Sequence, residues 1–356
     1  MIPVTKPFQP PLEELNVHLQ EIWKSEIYTN NGPKLQQLEL ELKEYLNVSD
    51  LLFLTNGTIG LQLAIKALDL KGEIITTPFS YVATTSSIVW EGCTPVFVDI
   101  DKESFNIDPT LIEAQITSKT SAILATHVFG NPCDIDAIDV IAKKYNLKVI
   151  YDGAHAFGVK YKGESIFNFG DITTCSTHAT KLFHTIEGGF VVSKDKELMK
   201  RISFMRNFGH DGPYEYSEVG INGKNSELHA AVGLVNLRHF QEIKSHRKSI
   251  CKVYHDNLLG DNIFFQKWNK QSTNNYSYFP ILLNDSINLE ELILFLNKNN
   301  IFPRRYFYPS LNSFELFSKK ENTPISSKVS QQIICLPLYV GLEPSLFINS
   351  FKSFVL

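Results

Sequence analysis

Lys148-Val149-Ile150-Tyr151-Asp152-Gly153-Ala154-His155-Ala156-Phe157-Gly158 is the stretch that decides the fold class. Its first residues form a short run rich in β-branched and aromatic side chains, the texture of a strand. The run ends on an acid and then on small residues, where a strand gives way to a turn. Towards the N-terminus, Ala122–His127, Val96–Val98 ending at Asp99, Ile74–Thr77 and Leu51–Thr55 read as further strands. Helical segments lie between them: Asp134–Tyr145, Thr84–Trp90, and a helix that starts at Asn56-Gly57-Thr58 and runs through Leu68. Ahead of these, Leu35, Leu38, Leu42 and Leu46 recur at helical spacing after Gly32-Pro33. Strands alternating with helices imply a mostly parallel sheet covered on both faces. Such sheets take ligands in the crevice at the carboxyl ends of their strands.

Towards the C-terminus the texture changes beyond about residue 245. A long helix is expected over Glu227–Tyr254, a strand over Tyr276–Leu283 and a helix over Leu289–Lys298. The division expected is residues 1–245, a large α/β domain with its N-terminal segment, and residues 246–356, a smaller α+β domain. Phe347–Leu356 is rich in apolar residues but shows no cap. The 356 residues are 43% hydrophobic, enough for a sizeable core, and the formal net charge is only -4. That near balance argues against a general nucleic-acid or membrane-surface role. Cys93, Cys133, Cys175, Cys251 and Cys335 are odd in number and none pair at CxxC spacing. Neither a disulfide framework nor a thiolate zinc site is expected. The start, Met1-Ile2-Pro3-Val4-Thr5-Lys6-Pro7, has no basic and apolar signal pattern, and a cytoplasmic protein is expected.

Three segments after strands carry chemistry. Asn56-Gly57-Thr58 opens a helix, where unpaired backbone N–H groups and the helix dipole favour an anion. On its own this is ordinarily a helix cap. Asp152 and His155 follow a strand directly. An ionised Asp there can keep a pyridine nitrogen protonated; it can equally cap a helix or share a metal with the His. In Ser176-Thr177-His178-Ala179-Thr180-Lys181, a lysine sits among small and hydroxyl residues ahead of Glu187-Gly188-Gly189. Most lysines are solvated surface groups. A desolvated one has a lowered pKa and can form a Schiff base with an aldehyde. Together the three supply a phosphate cradle, a pyridinium partner and a reactive amine. No GxGxxG follows an early strand, no GxxxxGK[ST] is present, and no metal site is expected from His155, His178 and His184.

These motifs, with Thr76-Thr77-Pro78-Phe79-Ser80-Tyr81-Val82-Ala83-Thr84, resemble the DegT-type nucleotide-sugar aminotransferases. The resemblance runs from Thr29-Asn30-Asn31-Gly32-Pro33 to Cys335-Leu336-Pro337-Leu338. It implies a fold-type I transferase dependent on pyridoxal 5′-phosphate (PLP), with helices on both faces of a mostly parallel sheet and a smaller C-terminal α+β domain. By resemblance Lys181 is the Schiff-base lysine, Asp152 pairs with the pyridine nitrogen and His155 lies near the phenolic oxygen. Gly57, Thr58 and Ser176 hold the phosphate, and Tyr81 stacks on the ring. Gly220-Ile221-Asn222-Gly223-Lys224-Asn225-Ser226-Glu227 matches a segment lent by a neighbouring subunit, which implies a homodimer with Asn222 on the phosphate. His178, Lys224, Arg305 and Tyr308 are the substrate-side candidates, while His184 is expected to be exposed.

Thr177 and Tyr81 depart from relatives with Phe at those places. Relatives with His in place of the lysine dehydrate their substrate, so Lys181 favours transamination. His178–Phe183 and Arg304–Pro309 are worded most like relatives that aminate C4 of dTDP-4-keto-6-deoxyglucose, with L-glutamate as donor, for bacterial surface polysaccharide (O-antigen). Amination at C3 of a dTDP-3-keto-6-deoxyhexose, or a non-catalytic PLP-binding regulator on the same fold, are the alternatives.

Overall fold

The alternation of strands and helices builds a seven-stranded sheet in the computed structural model, which describes residues 1–317 and 322–355. In chain order the elements are β1 (Ile2–Pro3), α1 (Leu12–Ser25), α2 (Pro33–Leu46), β2 (Leu52–Leu54), α3 (Gly57–Ala67), β3 (Glu73–Thr76), α4 (Val82–Trp90), β4 (Thr94–Phe97), β5 (Thr120–Thr126), α5 (Ile135–Tyr145) and β6 (Lys148–Asp152). Then come β7 (Lys160–Tyr161), β8 (Glu164–Ser165), β9 (Ile172–Ser176), β10 (Gly189–Val192), α6 (Lys196–Met205), α7 (Glu227–Arg238) and α8 (Phe240–Asn257). The chain ends with β11 (Ile263–Phe265), β12 (Pro280–Leu283), α9 (Leu289–Lys298), β13 (Ile301–Phe302), α10 (Pro324–Gln332), β14 (Ile333–Cys335) and α11 (Pro344–Val355).

The large sheet has the order β2-β10-β9-β6-β5-β3-β4. β10 runs antiparallel to both neighbours, and the other pairs are parallel. Successive side chains of a strand point to opposite faces, and the core divides accordingly. Ile75, Ile123, Val149 and Tyr151 pack with the leucines of α2 and with α5 and α7. Ile74, Leu124, Ile150 and Val191 pack with α3 and α6 on the other face. A separate cluster joins α8, α9, α11 and the three-stranded sheet β11-β12-β14. The five cysteines are buried free thiols. Among the described residues no helix is long and apolar enough to cross a membrane.

Two expectations are corrected, and one open stretch is settled. The long helix expected over Glu227–Tyr254 breaks at His239, whose φ of -89° and ψ of 1° leave the helical range. His239 Nε2 meets Glu14 at 2.9 Å, and Phe240 turns into the Tyr45, Phe157 and Phe183 rings. Tertiary packing here overrides a locally helical sequence. The strand expected over Tyr276–Leu283 pairs only from Pro280, because Tyr276 has a left-handed φ of 60°. The apolar C-terminal end is the helix α11, which buries Phe347, Ile348 and Phe351; Leu356 lies outside the described residues.

Two long-range ties fasten the C-terminal part to earlier segments of the chain. Ile2 and Pro3 pair in parallel with Ile301 and Phe302. Asp99, just beyond β4, caps α10: its carboxylate accepts from Ile325 N at 2.7 Å, Ser326 N at 2.7 Å and Ser326 Oγ at 2.6 Å. That helix runs into β14, where Cys335 and Arg304 bond through their backbones in both directions.

Candidate active site

Thr126, Asp152 and Thr174 stand side by side where β5, β6 and β9 end. They line one wall of a cleft of about 270 Å³. Gly57, Thr58, Asp152, His155, Ser176, His178 and Lys181, drawn from the three motifs, and Tyr81 from the Thr76–Thr84 stretch all line this cleft. The crevice at the carboxyl ends of a parallel sheet is where such folds bind ligands.

Asp152 is nearly buried, at 6% exposure. Its Oδ2 accepts from Thr84 Oγ1 at 2.8 Å and its Oδ1 from Ala154 N at 3.0 Å. The Thr84 hydroxyl continues to Ser80 Oγ at 2.8 Å, and Ser80 to Thr126 at 3.0 Å. A buried carboxylate is tolerable only when so supported.

His155 Nδ1 accepts from Phe129 N at 3.1 Å. Burial, and then the charge of Lys181, hold its pKa well below the ordinary histidine value. The ring is therefore neutral, with its proton on Nε2. Its ring lies parallel to those of Phe129 and Phe307, at interplanar angles of 5° and 6° and centroid distances of 6.2 and 5.9 Å.

The anion cradle is the start of α3. Asn56 Oδ1 takes the N–H of Ile59 at 2.9 Å, so the first-turn N–H groups of Gly57 and Thr58 remain for a ligand. Ser176 closes the opposite side. A Cβ on Gly57 would stand 2.9 Å from the Ser176 Cβ, which makes glycine necessary for this approach.

Lys181 stands on a loop bonded to itself: Thr177 N to Gly188 O at 2.8 Å, Thr185 N to Thr177 O at 2.8 Å and Ala179 N to Ile186 O at 2.7 Å. A Cβ on Gly188 would collide with the hydroxyls of Thr177 and Thr185, which bond each other at 2.7 Å. Burial lowers the Lys181 pKa, against the opposing pull of Tyr306 and Asp152. Its amine donates to Tyr278 Oη at 3.4 Å.

Other expected residues lie elsewhere. Asn222 and Lys224 stay outside the cleft of their own chain, bonded to each other at 2.7 Å, with the Lys224 amine 4.5 Å from the Phe208 ring centre. Arg305 turns away, stacked on Tyr308 at 3.3 Å and bonded to Gln331 O at 3.1 Å. The arginine that lines the cleft is Arg304. Arg304, Arg305 and Tyr308 together line an adjoining depression of about 490 Å³. His184 is not exposed: it is buried at 4%, with Nε2 on Phe8 O at 2.8 Å and its carbonyl accepting from Asn236. Thr84 and Tyr278, which the sequence does not single out, reach the site through Asp152 and Lys181, while Tyr306, from the Arg304–Pro309 stretch, lines the cleft. Thr84 lay within an expected helix and Tyr278 within an expected strand, with no local signal of a site.

An amine of lowered pKa, a supported carboxylate, a neutral imidazole and an anion cradle surround one cleft. That donor set fits the aldehyde, pyridine nitrogen, phenolic oxygen and phosphate of PLP. Among the described residues no group of three or more His, Cys, Asp or Glu is placed to hold a metal.

Residues 12–347 match the DegT/DnrJ/EryC1/StrS aminotransferase family. The dTDP-4-amino-4,6-dideoxy-D-glucose transaminase of Escherichia coli is 41% identical, over 99% of this chain and 97% of its own length. The Shigella dysenteriae transaminase of the same name is 43% identical, over 96% of this chain and 94% of its own. The crystal structure of DesI in the presence of its TDP-sugar product superposes with a TM-score of 0.93 at 28% identity, covering 99% of this chain and 93% of that one. With this fold, this cleft and these relatives, the chain belongs to the DegT/DnrJ/EryC1/StrS aminotransferase family, as a PLP-dependent nucleotide-sugar transaminase of fold type I.

Proposed function

We propose that the enzyme moves the amino group of L-glutamate to C4 of dTDP-4-keto-6-deoxy-D-glucose. The product is dTDP-4-amino-4,6-dideoxy-D-glucose, made in the cytoplasm for bacterial surface polysaccharide. The observation that carries this reading is the full-length similarity to two transaminases named for that sugar.

Bound PLP supplies an electron sink for the carbanion at the reacting carbon. The chain's own residues do the rest. Gly57, Thr58 and Ser176 would hold the phosphate, and Asp152 would keep the ring nitrogen protonated. His155, fixed by Phe129, would offer its Nε2–H to the phenolic oxygen. Tyr81, which lines the cleft at 54% exposure, would cover the ring. Lys181 Nζ, when free, takes the proton from the donor's α-carbon and later returns one to the sugar carbon; such acid–base help is worth roughly 10²–10⁴-fold. His178, Arg304 and the depression beyond it, with Arg305 and Tyr308, would take the sugar and its diphosphate, since guanidinium groups suit phosphate oxygens. Asn222 and Lys224 would complete the site of a second subunit in a homodimer, which agrees with their place outside their own cleft.

The test is the visible absorbance of the PLP-loaded enzyme, with product analysis. Glutamate should bleach the band, and dTDP-4-keto-6-deoxyglucose should restore it while yielding the 4-amino sugar. Restoration by a dTDP-3-keto-6-deoxyhexose alone would move the reaction to C3. A band indifferent to glutamate would remove the transaminase assignment.

A further inference from the structure

The partner of the Lys181 amine is not a carboxylate but a phenol, Tyr278 Oη, at 3.4 Å. Tyr278 lies on a short segment that pairs with no strand, yet it is held with unusual firmness. Asn275 Nδ2 donates to His155 O at 2.8 Å and to Phe157 O at 3.0 Å. Ser277 Oγ donates to His155 O at 2.9 Å. From behind, Arg247 Nε donates to Tyr276 O at 2.9 Å and Nη2 to Ser277 O at 2.5 Å.

Arg247 is 6% exposed, and its bonded partners are carbonyl oxygens rather than an acid. Burial pulls its pKa down to about 10. A buried cation paired only with carbonyls is costly, and the left-handed Tyr276 at φ 60° adds to the cost. Both bonds fall on the backbone immediately before Tyr278 and so fix the segment that carries it. The Tyr278 ring rests on His155 at 4.5 Å and on Tyr306 at 5.5 Å, so its hydroxyl is the remaining degree of freedom. Burial pushes the phenol pKa up, so it stays protonated and cannot take the lysine's proton. Its oxygen can accept an N–H.

We propose that Tyr278 docks the free Lys181 amine: its hydroxyl holds the nitrogen at the cleft wall through one hydrogen bond, and Arg247 keeps that hydroxyl in place through the backbone of Ser277. This rests on the role given to Lys181 above. Tyr278 touches the reacting nitrogen; Arg247 is a positioning residue.

The experiment uses Tyr278→Phe, which keeps the ring and removes one oxygen. Apo-protein is mixed with PLP, and the growth of its visible band gives the rate of capture by Lys181. Capture and kcat should each fall roughly tenfold, the size of one hydrogen bond to an ionisable group, with the sugar KM and the thermal midpoint unchanged. Arg247→Lys should shift capture in the same direction by less. Wild-type capture in Tyr278→Phe overturns the proposal, and so does a loss confined to thermal stability. Should Tyr278→Phe not fold, Arg247→Lys decides: slower capture at a wild-type thermal midpoint supports it, and unchanged capture overturns it. Lys181→Arg separates the two readings, because turnover by that variant would defeat the role of Lys181 itself.

Discussion

Thr84 Oγ1 donates to Asp152 Oδ2 across 2.8 Å, joining the first turn of α4 to the carboxyl end of β6. Thr84 is fully buried, so its hydroxyl has been withdrawn from water for this contact. Thr84→Val keeps the shape and leaves the carboxylate with one donor fewer. The variant should lose about 1–3 kcal/mol of stability and bind PLP roughly tenfold more weakly, read by urea unfolding and by absorbance titration.

Lys181 is held below the usual lysine pKa by burial. The sign follows from linkage: between the folded and unfolded values the unfolded chain binds more protons, so stability rises with pH there. At neutral pH the buried amine therefore destabilises the apo-protein. Lys181→Met should be more stable than wild type at pH 7, and the difference should shrink as pH rises towards the ordinary lysine value. It should also abolish transamination. Unfolding curves over a pH series check the first part and a glutamate assay the second.

The two nitrogens of His155 are separable by mutation. His155→Asn keeps an acceptor near the Phe129 N–H and removes the donor towards the cleft. It should fold with near wild-type stability but bind PLP more weakly. His155→Gln reverses the exchange, and the orphaned N–H should cost about 1–3 kcal/mol. Because burial keeps the imidazole neutral, no titration of His155 should appear in the activity profile near the ordinary histidine value.

Gly57→Ala drives a methyl group against the Ser176 side chain. Overpacking of this kind costs about 1–3 kcal/mol. The larger effect should be on the cradle: at least about tenfold weaker binding of PLP, with pyridoxal lacking the phosphate much less affected, by equilibrium dialysis.

If Asn222 serves a partner's cleft, two inactive variants should rescue each other. Lys181→Ala and Asn222→Ala homodimers, unfolded and refolded together, should regain about a quarter of wild-type sites, because each mixed dimer carries one intact site. Absence of rescue would place Asn222 in its own chain's service.

The sheet and the three motifs were legible because each is local. Short β-branched runs announce strands such as Lys148–Asp152, and the residues that follow must lie in the crevice. What was hidden is non-local. Tyr278 is 97 residues from Lys181, and its segment spends its hydrogen bonds on the His155 loop rather than on a strand. Thr84 looks like any helical threonine until β6 is beside it. The adjacent arginines differ only in which way the chain turns: Arg304 bonds Cys335 and faces the cleft, while Arg305 stacks on Tyr308. His184 follows Leu182-Phe183, and its polar ring is satisfied only where Phe8 and Asn236 return to it.

The Asp99 cap of α10 spans 226 residues of chain. Loop closure over such a distance pays its entropy before any contact rewards it. The sheet can assemble from neighbouring βα units, whereas the cap must await the far end of the polypeptide. Arg304 is anchored to β14, which follows that helix. During refolding, chain topology alone should therefore let the cradle on α3 form before the cleft wall that carries Arg304.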